Sequence, residues 1–264
     1  MLICPKCHFN LKKINNTYKC ENNHSFDISK DKYVNLLLSH PNAGDNKEMV
    51  EARKSFLENG FYDNLALAIA PHLDNQKLII DCGCGTGYYL YKLNTLTNSK
   101  IFIGLDISKI AIEKAAKMNK QFDNFTFIVS SVNNIPLSSN TCDVILNIFA
   151  PYSNNEFSRV LKKDGFLYTV RANANHLIEL KEILYENPYL NDEKEYNLPD
   201  FELISENNIQ YTVQLKNLDI LNLMKMTPYY YKTSKDSQKK LDDLPSLLTT
   251  ISFKLSKYKK RNSL

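Results

Sequence analysis

Three cysteines and a histidine fall within the first two dozen residues of the chain, as Cys4, Cys7, Cys20 and His24. Two residues separate the first pair, twelve lie between Cys7 and Cys20, and three lie between Cys20 and His24. A C-x2-C turn aims two thiolates at one point, and twelve residues suffice for a β-hairpin that returns a second pair to it. Four soft or borderline ligands of this kind suit tetrahedral Zn²⁺, and a set filled entirely by protein leaves no position for a reacting water, so the metal is read as structural. His8 competes for the fourth place, but it directly follows Cys7 and coordination there strains the turn; it is expected on the surface. A segment this short cannot bury enough apolar surface to fold alone, so metal binding supplies its folding energy.

A second cluster lies in KLIIDCGCGTGYYLYKL, residues 77–93. The apolar run from Lys77 to Asp81 fits a buried parallel strand, and an amphipathic helix begins near Tyr88. Glycines between them let the backbone turn sharply and approach a ligand, while the helix N-terminus offers unpaired N–H groups. The spacing Gly83, Gly85, Gly87 is the G-x-G-x-G of S-adenosylmethionine-dependent methyltransferases and not the G-x-G-x-x-G of dinucleotide folds. Asp81 precedes it. Asp106 ends the next strand about 20 residues on, where a doubly wound fold places the acid that binds ribose hydroxyls. Asp143, beginning the fourth strand, is read as further support. Cys82, Cys84 and Cys142 lie in or beside apolar strand segments and read as small core thiols.

These clusters need a scaffold, and the remaining sequence alternates to provide one. IFIGLDIS is a strand, SKIAIEKAAKMN a helix, NFTFIVSS and TCDVILNIFA strands, NNEFSRVLKKDG a helix closed by Gly165, and FLYTVR a strand. NIQYTVQL and TISFKLSKYK are expected to form an antiparallel edge pair. Upstream, Met49, Ala52, Arg53, Phe56 and Leu57 recur at helical spacing until Gly60 stops the helix, and a second helix runs from Tyr62 to His72. The pattern predicts an α/β fold, a doubly wound Rossmann-like methyltransferase sheet with a small N-terminal zinc-ribbon-like domain. The expected division is residues 1–36 for zinc, 37–72 for a helical connector and 73–264 for the methyltransferase domain.

At 264 residues and 43% hydrophobic content the chain can bury a large core without staples. No segment reaches the ~18 consecutive apolar residues needed to span a bilayer. A cytoplasmic location is expected, where thiols stay reduced and clustered cysteines bind metal more often than they form bridges. The net charge of +4 is too mild to announce a nucleic-acid partner. Its distribution says more, because residues 1–40 carry six lysines against three acids, an excess of +3, and the tail KLSKYKKRNSL is also basic.

Taken in order, CPKCH…YKCENNHSFD…YVNLL, GD…EM…AR..FL..GFY, DCGCGTGYY, GLDISK.AI..AAK, FAP, NHLIELK..LY and MTP run through nearly the whole chain. This succession resembles the RlmA-type 23S ribosomal RNA (guanine-N1)-methyltransferases. The resemblance implies an enzyme that methylates N1 of one guanine in a hairpin loop of large-subunit ribosomal RNA, with a zinc domain that helps to hold the RNA. It implies zinc on Cys4, Cys7, Cys20 and His24, and a cofactor pocket lined by Tyr62, Gly85, Thr86 and His176. Thr86 stands where some relatives carry an acid, Lys32 where glycine is common and Asn147 where some have arginine; the last two bear on which guanine is chosen.

The chemistry agrees. A sulfonium methyl needs a nucleophile placed in line, so orientation and desolvation carry much of the rate, but guanine N1 must lose a proton. His176 is read as a cofactor or orientation contact, and no residue stands out as the base. RNA loops are read through splayed, stacked bases, which points to aromatic side chains. Phe149, after the fourth strand, is the first candidate for the acceptor pocket, ahead of Tyr152 and Tyr229 to Tyr231, while Lys12, Lys13 and Lys19 are candidates for phosphate contacts. Two other readings are a small-molecule methyltransferase whose zinc segment only assists oligomerisation, and a non-catalytic zinc-ribbon RNA-binding protein. The intact glycine turn opposes the second and the basic N-terminus opposes the first. A homodimer is compatible with all three.

Overall fold

The computed structural model describes residues 1–38, 45–193 and 195–261. Gly44 of the connector and Asn262 to Leu264 of the basic tail lie outside the described residues. The first three strands, β1 (Lys12–Ile14), β2 (Thr17–Lys19) and β3 (Ser25–Asp27), form a small antiparallel sheet in that order. Ile14 faces Thr17, so Asn15 and Asn16 close the hairpin, and Asn15 takes the left-handed conformation that tight two-residue loops demand.

After a short strand, β4 (Tyr33–Asn35), come α1 (Lys47–Glu58) and α2 (Asp63–Ile69), then the alternating core of β5 (Leu78–Cys82), α3 (Tyr88–Leu96), β6 (Ile101–Asp106), α4 (Lys109–Met118) and β7 (Phe125–Val129). The chain continues through β8 (Cys142–Ile148), α5 (Asn154–Val160), β9 (Leu161–Ala172), α6 (Ile178–Leu184), β10 (Phe201–Lys216) and α7 (Asn217–Met226). It ends with α8 (Tyr229–Lys232), α9 (Lys235–Lys239) and β11 (Ser246–Lys260). Eight strands form one sheet in the order β10-β11-β9-β8-β5-β6-β7-β4. Pairs from β9 to β4 are parallel, and β11 runs antiparallel to both β9 and β10. Strand order reverses at β5, between β6 and β8, which opens the crevice where doubly wound folds bind ligands.

The connector helix follows its sequence pattern. Asn46 caps α1 by accepting from Met49 N at 2.9 Å, Val50, Ala52, Phe56 and Leu57 are buried, and Gly60 ends the helix with φ +80°. The second helix is shorter than expected. It begins at Asp63 and gives way to a 3-10 turn over Ala70–Leu73, where Pro71 has no N–H to continue the α-helical ladder.

Three other expectations change. The helix placed up to Gly165 stops at Val160, and Leu161 already pairs with Cys142 as the start of β9. Burial of Leu161 in the sheet overrides the helical spacing of its polar neighbours, and a Cβ on Gly165 would lie 2.7 Å from Leu161 Cγ, so this glycine serves strand packing and not a helix cap. Asp143 does not approach the glycine turn. It accepts from Lys77 N and Leu78 N at 3.0 and 2.8 Å and pairs with Lys162, bracing the opposite end of β5. Finally, β4 joins the far edge of the large sheet beside β7, so the N-terminal segment contributes a strand to the main core.

The small sheet is seated on that core. Ile3 N donates to Pro136 O at 3.0 Å and Ser138 N to Met1 O at 2.9 Å. Leu2, Cys4, Leu11 and Cys20 pack in one apolar cluster with Ile135, Leu137 and Ile80.

Candidate active site and metal centre

Cys4, Cys7, Cys20 and His24 converge, with their ligand atoms all within 4.8 Å of one another. Cys7 Sγ lies 3.6 Å from Cys20 Sγ, and His24 Nδ1 lies 3.4 Å from Cys4 Sγ and 3.5 Å from Cys20 Sγ. A tetrahedron with Zn–S bonds of about 2.3 Å has edges of about 3.8 Å, slightly less where nitrogen replaces sulfur. The donor set therefore fits zinc and is closed. His8 is exposed and outside it, with φ +59° just after Cys7.

The glycine turn crosses from β5 to α3 with Gly83, Gly85 and Gly87 at φ +89°, +53° and +75°. Gly83 N and Cys84 N both donate to Leu105 O, tying the turn to β6. Asp106 accepts from Gly85 N at 2.9 Å and from Ser108 N at 2.8 Å, so its carboxylate stands behind the turn. A Cβ on Gly83 would collide with Ala150, whereas one on Gly85 would meet only the Arg53 side chain, at 3.9 Å. Gly85 therefore faces open space.

That space is a cavity of about 830 Å³. Of the residues singled out for the cofactor, Tyr62, Gly83, Gly85, Thr86 and His176 line it. Gly87 packs instead against Ala115, and Asp81 and Asp106 lie behind the lining. Thr86 Oγ1, Tyr89 OH and both oxygens of Asp81 are buried without a hydrogen-bond partner. Such atoms are costly to leave bare, so a polar group seated at the turn fits them. Asp81, 1% exposed, is pushed up to about 8 by burial and then by the charge of Asp106.

His176 is buried against Phe253 and Tyr62. Its Nδ1 accepts from Ser252 N at 3.2 Å, which leaves the imidazole proton on Nε2, 3.5 Å from Tyr62 OH. Burial, then the charge of Lys181, pushes it down to about 3. A neutral ring with its lone pair engaged orients its neighbours and takes no proton.

At the end of β8, Phe149 also lines the cavity. It is 45% exposed and has φ +52°, an unusual conformation for a bulky residue and one found at sites where the chain is held for a purpose. Tyr229 and Tyr231 reach the same wall, and Tyr152 instead packs against Tyr196 with ring centroids 4.5 Å apart and the rings tilted by 49°. Sequence reasoning missed Tyr89, Tyr189 and Asn191 as lining residues. Asn147 is fully buried, donating to Cys82 O at 3.1 Å and Pro151 O at 2.9 Å, and Lys32 pairs with Asp123 on the surface.

The three ribbon lysines are exposed but do not share a face. Lys12 lies directly opposite Lys19, whereas Lys13 lies opposite Tyr18 on the other side of the pleat.

Comparison with known proteins matches two parts of the chain. Residues 2–40 match the family model described as RlmA, N-terminal, and residues 73–236 match a methyltransferase domain. A Bacillus subtilis protein provisionally named as a 23S rRNA (guanine-N(1)-)-methyltransferase is 32% identical over 95% of this chain and 94% of its own length. The Streptomyces fradiae 23S rRNA (guanine(748)-N(1))-methyltransferase is 28% identical over 93% of this chain and 91% of its own. The YcgJ protein of Bacillus subtilis has a similar fold, with a TM-score of 0.52 at 16% identity over 76% of this chain and all of that one. The glycine turn with its unsatisfied polar wall, the closed Cys/His cluster and these matches together make the chain a member of the RlmA-type 23S rRNA (guanine-N1)-methyltransferases, enzymes that use S-adenosylmethionine and carry a structural zinc.

Proposed function

We propose that this chain transfers a methyl group from S-adenosylmethionine to N1 of a guanine in a hairpin loop of 23S ribosomal RNA. The observation that carries the reading is the continuity of one cavity from Gly85 and Thr86 to the exposed ring of Phe149. A base splayed from a loop stacks on such a ring, and the names of the Bacillus and Streptomyces relatives specify guanine N1.

When bound, S-adenosylmethionine supplies an electrophilic methyl on a sulfonium. Gly83, Gly85 and Thr86 hold it at the turn, Asp106 braces that turn from behind through Gly85 N, Tyr62 and His176 set the wall beside it, and Asp81 supports the site from below. The chain contributes orientation and exclusion of water. Cys4, Cys7, Cys20 and His24 hold the zinc that shapes the ribbon, whose lysines meet RNA phosphates. In this division residues 1–36 grip, 37–72 connect and 73–264 catalyse, with β4 fastening the first part to the last. A ribosomal substrate places the enzyme in the cytoplasm, and no helix among the described residues is long and apolar enough to cross a membrane.

Nucleoside mass spectrometry of ribosomal RNA from cells with and without the gene tests the proposal. Loss of one 1-methylguanosine on deletion, restored by purified enzyme and cofactor in vitro, is expected. Unchanged 1-methylguanosine rejects it and brings the small-molecule reading forward.

A further inference from the structure

Lys181, on α6, is fully buried, with 0% of its surface exposed. Its Nζ donates to Asn191 Oδ1 at 2.7 Å and to Tyr189 O at 2.9 Å, and lies 4.7 and 5.3 Å from the ring centroids of Tyr189 and Tyr229. Both acceptors are neutral, so the ammonium is solvated by dipoles and ring faces and is not cancelled by a carboxylate. Asn191 extends the cluster: its Oδ1 also accepts from Tyr229 OH at 2.8 Å, and its Nδ2 donates to Asn173 O at 2.9 Å and His176 O at 3.1 Å. Tyr189, Asn191, Tyr229 and His176 all line the cavity, and Lys181 stands behind them.

An interior cation without a counter-charge is expensive, and an apolar chain of similar length would pack there at lower cost. The charge therefore calls for a use. In the reaction proposed above, guanine N1 must give up a proton that His176 is in no state to accept. Ionisation into water remains, and it depends on fixed charges and dipoles aimed at the anion. Of the other cations lining the cavity, Arg53 is paired with Asp45 and donates to Met226 O, Arg171 lies over the Tyr196 ring at 4.9 Å, and Lys232 is exposed.

We propose that Lys181 is a positioning residue whose charge, acting through the rings of Tyr189 and Tyr229, biases a guanine held against them toward its N1 anion. The proposal rests on the guanine reading of the site. The N1–H bond breaks, the proton passes to water, and the electron pair stays on N1 with the charge shared with O6. That pair forms the N1–C bond as the methyl–sulfur bond breaks and its electrons remain on sulfur.

The other titratable groups around Lys181 do not cancel this field. Burial raises the phenols of Tyr189 and Tyr229 and lowers the imidazole of His176, so these three are neutral at ordinary pH. Glu179, on the same helix, is turned to Thr249 and Thr250 of β11, and Glu182 is exposed. Asp236 and Lys239 of α9 pair with each other, and Asp192 lies at the cavity rim. Burial lowers the pKa of Lys181 itself.

The test is a nitrogen-15 NMR titration, without cofactor, of an RNA hairpin labelled at N1 of the target guanine, free and bound to full-length protein. At the separation of a ring thickness or two, one charge shifts an ionisation about tenfold, roughly one pH unit. N1 should therefore ionise about one pH unit lower in the wild-type complex than in the free hairpin. Lys181→Met should abolish the shift, and Lys181→Arg and Tyr229→Phe should keep it, the latter losing the bond to Asn191 but retaining ring and charge. An equal ionisation in the free and wild-type-bound hairpin, or an undiminished shift in Lys181→Met, overturns the proposal. Should Lys181→Met fail to fold, Lys181→Gln, which keeps a donor for Asn191 and removes the charge, takes its place with the same expected loss of the shift. A hairpin that the wild type neither binds nor methylates at N1 overturns the guanine reading itself.

Discussion

Gly83 and Gly85 are two residues apart and both adopt positive φ, yet they serve different ends. At Gly83 the missing Cβ makes room for Ala150, a protein neighbour, so Gly83→Ala should lower stability by ~1–3 kcal/mol, read from urea midpoints. At Gly85 the missing Cβ leaves room for the cofactor. Gly85→Val should cost more than about tenfold in cofactor affinity by calorimetry, with only the ~1 kcal/mol of a strained φ in stability. Cofactor binding at parental strength would show that the pocket is assigned wrongly. Asp81 offers a second residue-scale test. Its folded pKa of about 8 lies above its ordinary 3.8, so the unfolded chain releases the proton first as pH rises. The cofactor-free protein should therefore lose stability across that window, and Asp81→Asn should flatten the decline. Parallel pH profiles for both proteins in urea melts between pH 5 and 8 would refute the assignment.

At the scale of elements, the parts that could be read were those specified by neighbours in sequence. The C-x2-C turn, the G-x-G-x-G turn and the capped helix before Gly60 each carry their own geometry in a few residues. The break between α5 and β9 was not legible, because the spacing through Arg159 and Lys163 stays helical and only burial of Leu161 against β8 makes it a strand. Nor was the placement of β4, a three-residue strand that finds β7 some ninety positions later. The wall formed by Tyr189, Asn191 and Tyr229 comes from segments with no shared motif. The position of β4 has a measurable consequence. If zinc holds β1 to β3 and the main sheet holds β4, removing the metal by chelation or by Cys20→Ser should release amide protection at Thr17–Lys19 and Ser25–Asp27 in hydrogen exchange. Protection at Tyr33–Asn35 should remain. Simultaneous loss in all three strands would mean that ribbon and sheet edge form one cooperative unit.

For the whole molecule, the seating of the ribbon decides how RNA is presented to the cavity. Tyr18 and Phe26 pack toward the apolar cluster shared with the main domain, so the face of β1 and β2 bearing Lys12 and Lys19 points away from it. Two like charges directly opposite across a ladder repel each other, and a phosphate between them turns that repulsion into attraction. Each such contact releases counterions, worth about 0.7 in the slope of log affinity against log salt for a single strand. The double change Lys12→Ala and Lys19→Ala should thus lower the slope by about 1.4 and leave cofactor affinity unaltered, since the glycine turn belongs to a different part of the core. Lys13→Ala, on the opposite side of the pleat, should change the slope less than either single substitution. Deletion of residues 1–28, which spares β4, should abolish RNA methylation while cofactor still binds. The decisive measurement is hairpin affinity at several salt concentrations beside cofactor calorimetry on the same samples. An unaltered slope in the double variant, or full methylation after deletion, would remove the ribbon from RNA binding and leave it as a fastening for the sheet edge.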